Sequence, residues 1–180
     1  MKDACFYRET ERLLLRSPTV GDADILAAKR STGFVMRYNL YKPCDRAQIE
    51  DELSRFEHIV LFEKESKAVI GCVAVKDDYL RYRVASVSLQ AWLSEDMAHR
   101  GYMAEALHAI LPYLFFECEY ERIAIQIFAD NRASLRLAEK LGFAREGYLE
   151  RAVQNDDGQV FDVVLLSLDF ERYKKSTTSN

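Results

Sequence analysis

This sequence predicts an α/β fold: a single domain on a mixed, mostly antiparallel sheet, with a central parallel strand pair and flanking helices. Three observations predict it. Runs with an apolar period of two recur along the chain. In the centre the order is strand, helix, strand, helix, which joins two parallel strands through a crossover. Hairpin patterns flank that centre on both sides. The chain has 180 residues, the size of one ordinary domain, and shows no repeat or linker.

Glu11 to Arg16 reads as a first strand, with Leu13 and Leu15 on one face and Pro18 ending the run. "GDADILAAKR" is predicted helical with Asp22 as its N-cap. "DRAQIEDELSRF" forms the next helix: Asp45 and Gln48 stand at capping-box spacing, and Ile49, Leu53 and Phe56 make one stripe. Three strands follow, "HIVLFE", "AVIGCVAV" and "VASVSLQAWL", the first two joined tightly through "KESK". In the third, Val87, Leu89, Ala91 and Leu93 share one face; Ser86, Ser88, Gln90 and Trp92 share the other.

A helix then runs from Gly101 towards Glu117 on Leu107, Ile110, Leu111 and Leu114, and Pro112 is expected to kink or divide it. "RIAIQIFA" alternates as a strand through Ile123, Ile125 and Ile127. "NRASLRLAEKLGF" is a compact helix, capped by Asn131 and closed by Gly142 at C′. "YLERAV" and "VFDVVLLSL", joined across "QNDDGQ", form a closing hairpin. The tail "KKSTTSN" is expected to be disordered. The domain accordingly spans 9–170, with 171–180 as tail.

The net charge of −4 speaks against a general affinity for nucleic acid or anionic membrane. Cys5, Cys44, Cys72 and Cys118 lack metal or redox spacing, and His58, His99 and His108 do not complete a zinc set, so no metal site is expected. The cysteines read as reduced thiols. Charges interrupt the N-terminal stretch, which cannot serve as a secretory apolar region, and no apolar run reaches bilayer length. A cytoplasmic protein is expected.

One stretch asks a chemical question. "AHRGYMAEAL" (98–107) begins a helix with Arg100 and Gly101, while the capping types Ser94 and Asp96 lie upstream. Free N–H groups, the positive helix end and a glycine that lets backbone come close make an anion site. His99 and Arg100 add charge there, as could Arg132, Arg136 and Lys140 from the next helix. The alternative is a plain turn glycine and a solvated arginine. No complete phosphate-loop motif is present.

From "ETERLLLR" through "AWLSEDMAHRGYMAEAL", "ADNRASLRLAEKLGF", "EGYLERAV" and "GQVFDVVLLSL", the chain resembles the GCN5-related N-acetyltransferases. Within them it is most similar to the RimJ/RimL group, which acetylates N-termini of ribosomal proteins. The resemblance covers residues 9 to 170. It implies the acyl-CoA N-acyltransferase fold and acetyl-CoA as cosubstrate. Arg100, Gly101, Tyr102, Met103 and Ala104 would surround the pyrophosphate, Trp92 and Leu93 would neighbour the pantetheine arm, and Asn131 would lie near it. The family motif, Gln/Arg-x-x-Gly-x-Gly/Ala, is met strictly only at Gly101; Ala98 and Met103 depart from it.

Acetyl transfer needs a neutral amine, a polarised thioester carbonyl and a proton for the departing thiolate. By the resemblance Ser134 is the acid, since the tyrosine that many relatives use falls at Ala138. Asn131 and Ser134 are equally suited to ordinary work in a first helical turn. The base stays unassigned: Ser88 stands where relatives carry Glu, and Glu146, Glu150 and Asp162 read as hairpin charges. A water held by Ser88, Gln90 and backbone carbonyls is one expectation. The resemblance implies that Gly33 to Phe56 walls the acceptor side, with Phe34, Tyr38 and Tyr41 available to line it. The expected activity is acetylation of a primary amine, foremost a protein N-terminal α-amine. The alternatives are a small amine or polyamine and, from another class, a non-catalytic CoA-binding sensor. The resemblance leaves room for a homodimer.

Overall fold

The computed structural model describes residues 6–39, 42–155 and 157–178. The strands are β1 (Tyr7–Glu9), β2 (Leu13–Arg16), β3 (Glu57–Glu63), β4 (Ala68–Asp77), β5 (Ser86–Leu93), β6 (Arg122–Phe128), β7 (Ala144–Gln154) and β8 (Val160–Asp169). They form one sheet in the order β1-β2-β3-β4-β5-β6-β8-β7. The α-helices are α1 (Ala23–Arg30), α2 (Gly33–Asn39), α3 (Arg46–Arg55), α4 (Tyr102–Pro112), α5 (Arg132–Lys140) and α6 (Phe170–Thr178). β5 and β6 pair in parallel, Ser86 opposite Arg122, with α4 as the crossover between them. The pairs β1–β2, β2–β3, β3–β4, β6–β8 and β7–β8 are antiparallel. This is the predicted fold class. Contacts gather the chain into two compact units, Met1–Lys76 with Gln90–Ile110, and Asp77–Leu89 with Leu111–Asn180.

In the first unit, Leu13 and Leu15 are fully buried, as the alternation of β2 requires. β1 was not foreseen; it pairs Arg8 with Leu15, and Phe6 just before it is buried, so ordered structure begins ahead of residue 9. The "KESK" turn is held by the Glu63 carboxylate, which accepts from the amides of Glu65 and Ser66. α3 carries the predicted capping box: Gln48 N–H donates to Asp45 Oδ1 and Asp45 N–H to Gln48 Oε1. Asp22 corrects its prediction. Its side chain does not cap α1; it accepts from Thr19 N–H and Oγ1 and makes a paired ion bridge with Arg16. A carboxylate facing an arginine fork gains more from that pair than from one helix amide. β5 also differs: Trp92 is buried, whereas Ala91 and Leu93 are only partly so. Residues of α1 and α3 pack on the Trp92 face, so the expected polar face is covered too.

In the second unit, Pro112 divides the long helix as foreseen. It lacks the N–H that would bond the His108 carbonyl, and beyond it the turn widens to π-helical spacing over Tyr113–Glu117, with Cys118 N–H donating to Tyr113 O. α5 ends with Gly142 N–H on Glu139 O and Phe143 N–H on Ala138 O, the two bonds of a Schellman closure. The tail is a correction. Residues 170–178 form α6 instead of a disordered end; Ser179 and Asn180 lie outside the described residues. Asp169 Oδ1 accepts from Arg172 N–H at the helix start, and Tyr173 stacks on Phe115 with ring centroids 4.8 Å apart. That apolar anchor outweighs the polar composition of the tail.

Candidate active site

The chain reaches α4 through a short 3-10 turn, Glu95–Met97, and two residues with positive φ, His99 at 60° and Gly101 at 84°. Glycine takes that region freely, and Gly101 serves as the N-cap position, its carbonyl accepting from Glu105 N–H. Ser94 does not cap the helix: its N–H and its Oγ both donate to the Ile70 carbonyl, fastening the loop to β4. Among the described residues, no side chain accepts a hydrogen bond from the amides of Tyr102, Met103 or Ala104. Three N–H groups therefore stand open at the positive end of an eleven-residue helix.

The acid in that first turn does not fill the gap. Glu105 accepts from Thr10 Oγ1 at 2.5 Å, Arg12 N–H at 2.8 Å and Arg12 Nε at 2.7 Å. Burial works to raise its pKa, but these bonds hold the carboxyl below the usual range. Arg12 also donates from NH1 to the Arg100 carbonyl, and its guanidinium lies 4.3 Å from the Tyr102 ring centroid. Sequence reasoning passed over Arg12 and Glu105; "TER" followed far downstream by "AEAL" was the signal available.

The predicted residues fall into two classes. Arg100 and Gly101 are exposed at the loop, and Met103 and Ala104 are half-buried. Tyr102 is buried beneath Arg12, so at the helix start it offers only its backbone. Trp92 likewise spends its side chain in the core, leaving main chain for a ligand, while Leu93 is half-buried. A Cβ on Gly71 would lie 2.4 Å from the Trp92 carbonyl oxygen, so β4 admits this end of β5 only because that position is glycine.

In the second unit, the Asn131 side-chain carbonyl accepts from Ser134 N–H at 3.2 Å and caps α5. The Ser134 hydroxyl makes no hydrogen bond among the described residues and is half-buried. Ala138, in the tyrosine position of many relatives, is buried. Arg132, Arg136 and Lys140 are exposed along one face of α5. Two of the three hairpin carboxylates are engaged, and Glu150 is exposed. Burial would raise Glu146, but the Ser167 hydroxyl, Arg81 and Arg122 hold it low. The Tyr148 hydroxyl and Arg151 N–H do the same for Asp162.

Within the first unit, a small pocket opens among α1, α3 and the sheet, with Leu26, Ile49, Leu53 and Trp92 in its wall. Phe34 and Tyr38 do not line it, and Tyr41 lies outside the described residues. Its polar wall is Arg30, Glu52 and His58. Arg30, itself buried, bonds Glu52; His58 Nε2 and Lys76 Nζ each lie 3.6 Å from Glu52 Oε1. His58 and Arg30, against the burial that would raise it, bring the Glu52 carboxyl down to about 2. Lys76 further donates to Gln90 Oε1 at 2.6 Å, and Gln90 Nε2 donates to the Asn39 carbonyl. The Gln90 side chain, expected to hold a water, is thus committed to protein partners.

The acetyltransferase (GNAT) domain matches residues 12–144 of this chain. The chain belongs to the GNAT acetyltransferase family. It is 27% identical over 172 residues to the uncharacterized N-acetyltransferase YoaA of Bacillus subtilis, covering 89% of this chain and 94% of that protein. Two solved structures share the fold. Spermidine N-acetyltransferase from Vibrio cholerae, in complex with CoA and spermine, has a TM-score of 0.80 at 20% identity, over 92% of this chain and 99% of that one. Ribosomal-protein-S5-alanine acetyltransferase from Vibrio fischeri has a TM-score of 0.77 at 18% identity, over 91% and 96%. As a GNAT enzyme, the protein is an acetyl-CoA-dependent acyltransferase. The donor set at α4 fits that cosubstrate: open amides, a glycine without a side chain to obstruct them, and two arginines suit a diphosphate.

Proposed function

We propose that this enzyme acetylates the α-amine of a protein N-terminus, in the manner of the RimJ/RimL group, with a polyamine as the alternative acceptor. The observation that carries the choice is the charge of the pocket among α1, α3 and the sheet. Arg30 is bonded to Glu52, so the one carboxylate in the wall is already engaged. A spermidine-like polycation would meet the Arg30 guanidinium and no uncommitted acid there. A single α-amine on a peptide carries less charge to repel. A cytoplasmic location belongs to this reading, since such acceptors are made there.

In this proposal the amides of Tyr102, Met103 and Ala104, with Arg100 and Gly101, hold the pyrophosphate. The pantetheine arm follows the backbone of Trp92 and Leu93, and Asn131 is assigned to the same arm. Bound acetyl-CoA supplies the activated carbonyl. The amine nitrogen forms its bond to the acetyl carbon as the carbon–sulfur bond breaks. The amine proton leaves through water, the thiolate takes the Ser134 hydroxyl proton, and solvent restores it. A water relay is favoured because Glu146 and Asp162, held low by their partners, are weak bases.

A panel of peptides with free N-terminal amines, set beside spermidine and spermine, tests the acceptor through release of the CoA thiol. The peptides should turn over and the polyamines should not. On the responding peptide, Ser134→Ala should lower kcat roughly a hundredfold while the Kd for CoA stays unchanged. Polyamine turnover with silent peptides overturns the acceptor assignment.

A further inference from the structure

The first position of the GNAT motif, where the resemblance expects a Gln or Arg side chain, is Ala98, which brings neither charge nor donors. A cation reaches the same helix start from the other end of the sequence. Arg12 stands just ahead of β2, and its NH2 lies 3.5 Å from the point a Cβ on Gly101 would occupy. We infer that Arg12 is a binding and positioning residue for the acetyl-CoA pyrophosphate, supplying at the α4 entrance the charge that Ala98 lacks. The inference rests on the proposal that the pyrophosphate sits at Gly101–Ala104.

Three features separate this role from that of a simple surface ion pair. First, the pair is asymmetric: the Arg12 side chain is 39% exposed, whereas Glu105 is 17% exposed. Glu105 is saturated by Thr10 and Arg12, while both terminal nitrogens of the guanidinium keep a second N–H beyond their bonds to Glu105 and the Arg100 carbonyl. Second, Arg12 fixes the loop itself, because NH1 holds the carbonyl of the residue before Gly101 at 2.9 Å. Third, an acid in a first helical turn ordinarily serves the positive end of its own helix. Thr10 and Arg12 draw the Glu105 carboxylate away from that end, so the amides of Tyr102, Met103 and Ala104 stay available to an incoming anion.

The test is the Kd of CoA, measured by calorimetry at two ionic strengths for Arg12→Gln, Arg12→Lys, Glu105→Gln and Gly101→Val, each confirmed folded by its melting curve. Arg12→Gln should weaken CoA roughly tenfold or more and flatten the salt dependence. Arg12→Lys keeps the charge but loses the fork, and should fall between wild type and Arg12→Gln with its salt dependence preserved. Glu105→Gln breaks the same ion pair but leaves the guanidinium in place, so it should weaken CoA clearly less than Arg12→Gln. Equal losses from Arg12→Gln and Glu105→Gln, or a wild-type Kd in Arg12→Gln, overturn the inference. Gly101→Val separates the two levels. If it binds CoA like wild type, the pyrophosphate assignment itself fails; if it loses CoA while Arg12→Gln does not, only the role of Arg12 fails.

Discussion

Glu52 concentrates the electrostatics of the first unit in one carboxyl. His58 and Arg30 bring it down to about 2 from its ordinary 4.5, against the opposing effect of burial. A folded-state pKa below the unfolded one contributes stability that is full above about 4.5 and is lost as pH falls through about 2. Denaturant midpoints should therefore decline from pH 4.5 downward. Glu52→Gln should start about 3 kcal/mol less stable at neutral pH, because it strands buried Arg30, and should decline less steeply across the same window. Titrating both proteins by chemical denaturation checks the sign; parallel curves would remove Glu52 from the account. The nearby thiol of Cys72 is pushed by burial up to about 12, which keeps it protonated and inert at neutral pH.

Helix α5 shows how an element divides its labour between stability and chemistry. Its N-cap bond from Ser134 N–H to Asn131 and its Schellman closure at Gly142 both follow from residues adjacent in sequence. Asn131→Ala should lower unfolding stability by about 1 kcal/mol, whereas Asn131→Asp, which keeps an accepting oxygen, should stay close to wild type. If Asn131→Asp is stable yet binds CoA less tightly, the side chain serves the pantetheine arm as well as the cap; thermal melts beside CoA titrations read the two effects apart. The short elements were less legible. β1 and α2 carry too few residues for a periodic signal, and α6, polar in composition, depends on Tyr173 meeting Phe115, a ring distant in sequence. The capping box of α3 and the division at Pro112 were legible because both act within one turn of backbone.

For the whole molecule, binding and stability are linked. CoA binds the folded chain and not the unfolded one, so CoA at a hundred times its Kd should add about 2.7 kcal/mol to unfolding stability. A melting temperature that climbs with the logarithm of CoA concentration is the expected result, and a flat response would contradict the assigned cosubstrate. The net charge of −4 does not forbid an anionic ligand. Cations act locally within the screening length of about 10 Å, and Arg12 and Arg100 lie at one helix start. Of the acids that read as hairpin charges, Glu146 pairs with Arg81 and Arg122 and Asp162 with Tyr148, while Glu150 is exposed.

By itself the sequence determined the mixed sheet with its parallel pair, the caps of α3 and α5, the glycine at the α4 start and the position of Ser134. Each of these is set by alternation or by hydrogen bonds spanning a few residues, so neighbouring letters contain it. Only the tertiary structure decided that Trp92 belongs to the core, that Gln90 is spent on Lys76 and Asn39, and that Arg12 lies against the helix start. Arg12 and its partner Glu105 are 93 residues apart. No local pattern encodes such a meeting, because the chain entropy that separates the two is overcome only when the sheet and helix between them have packed.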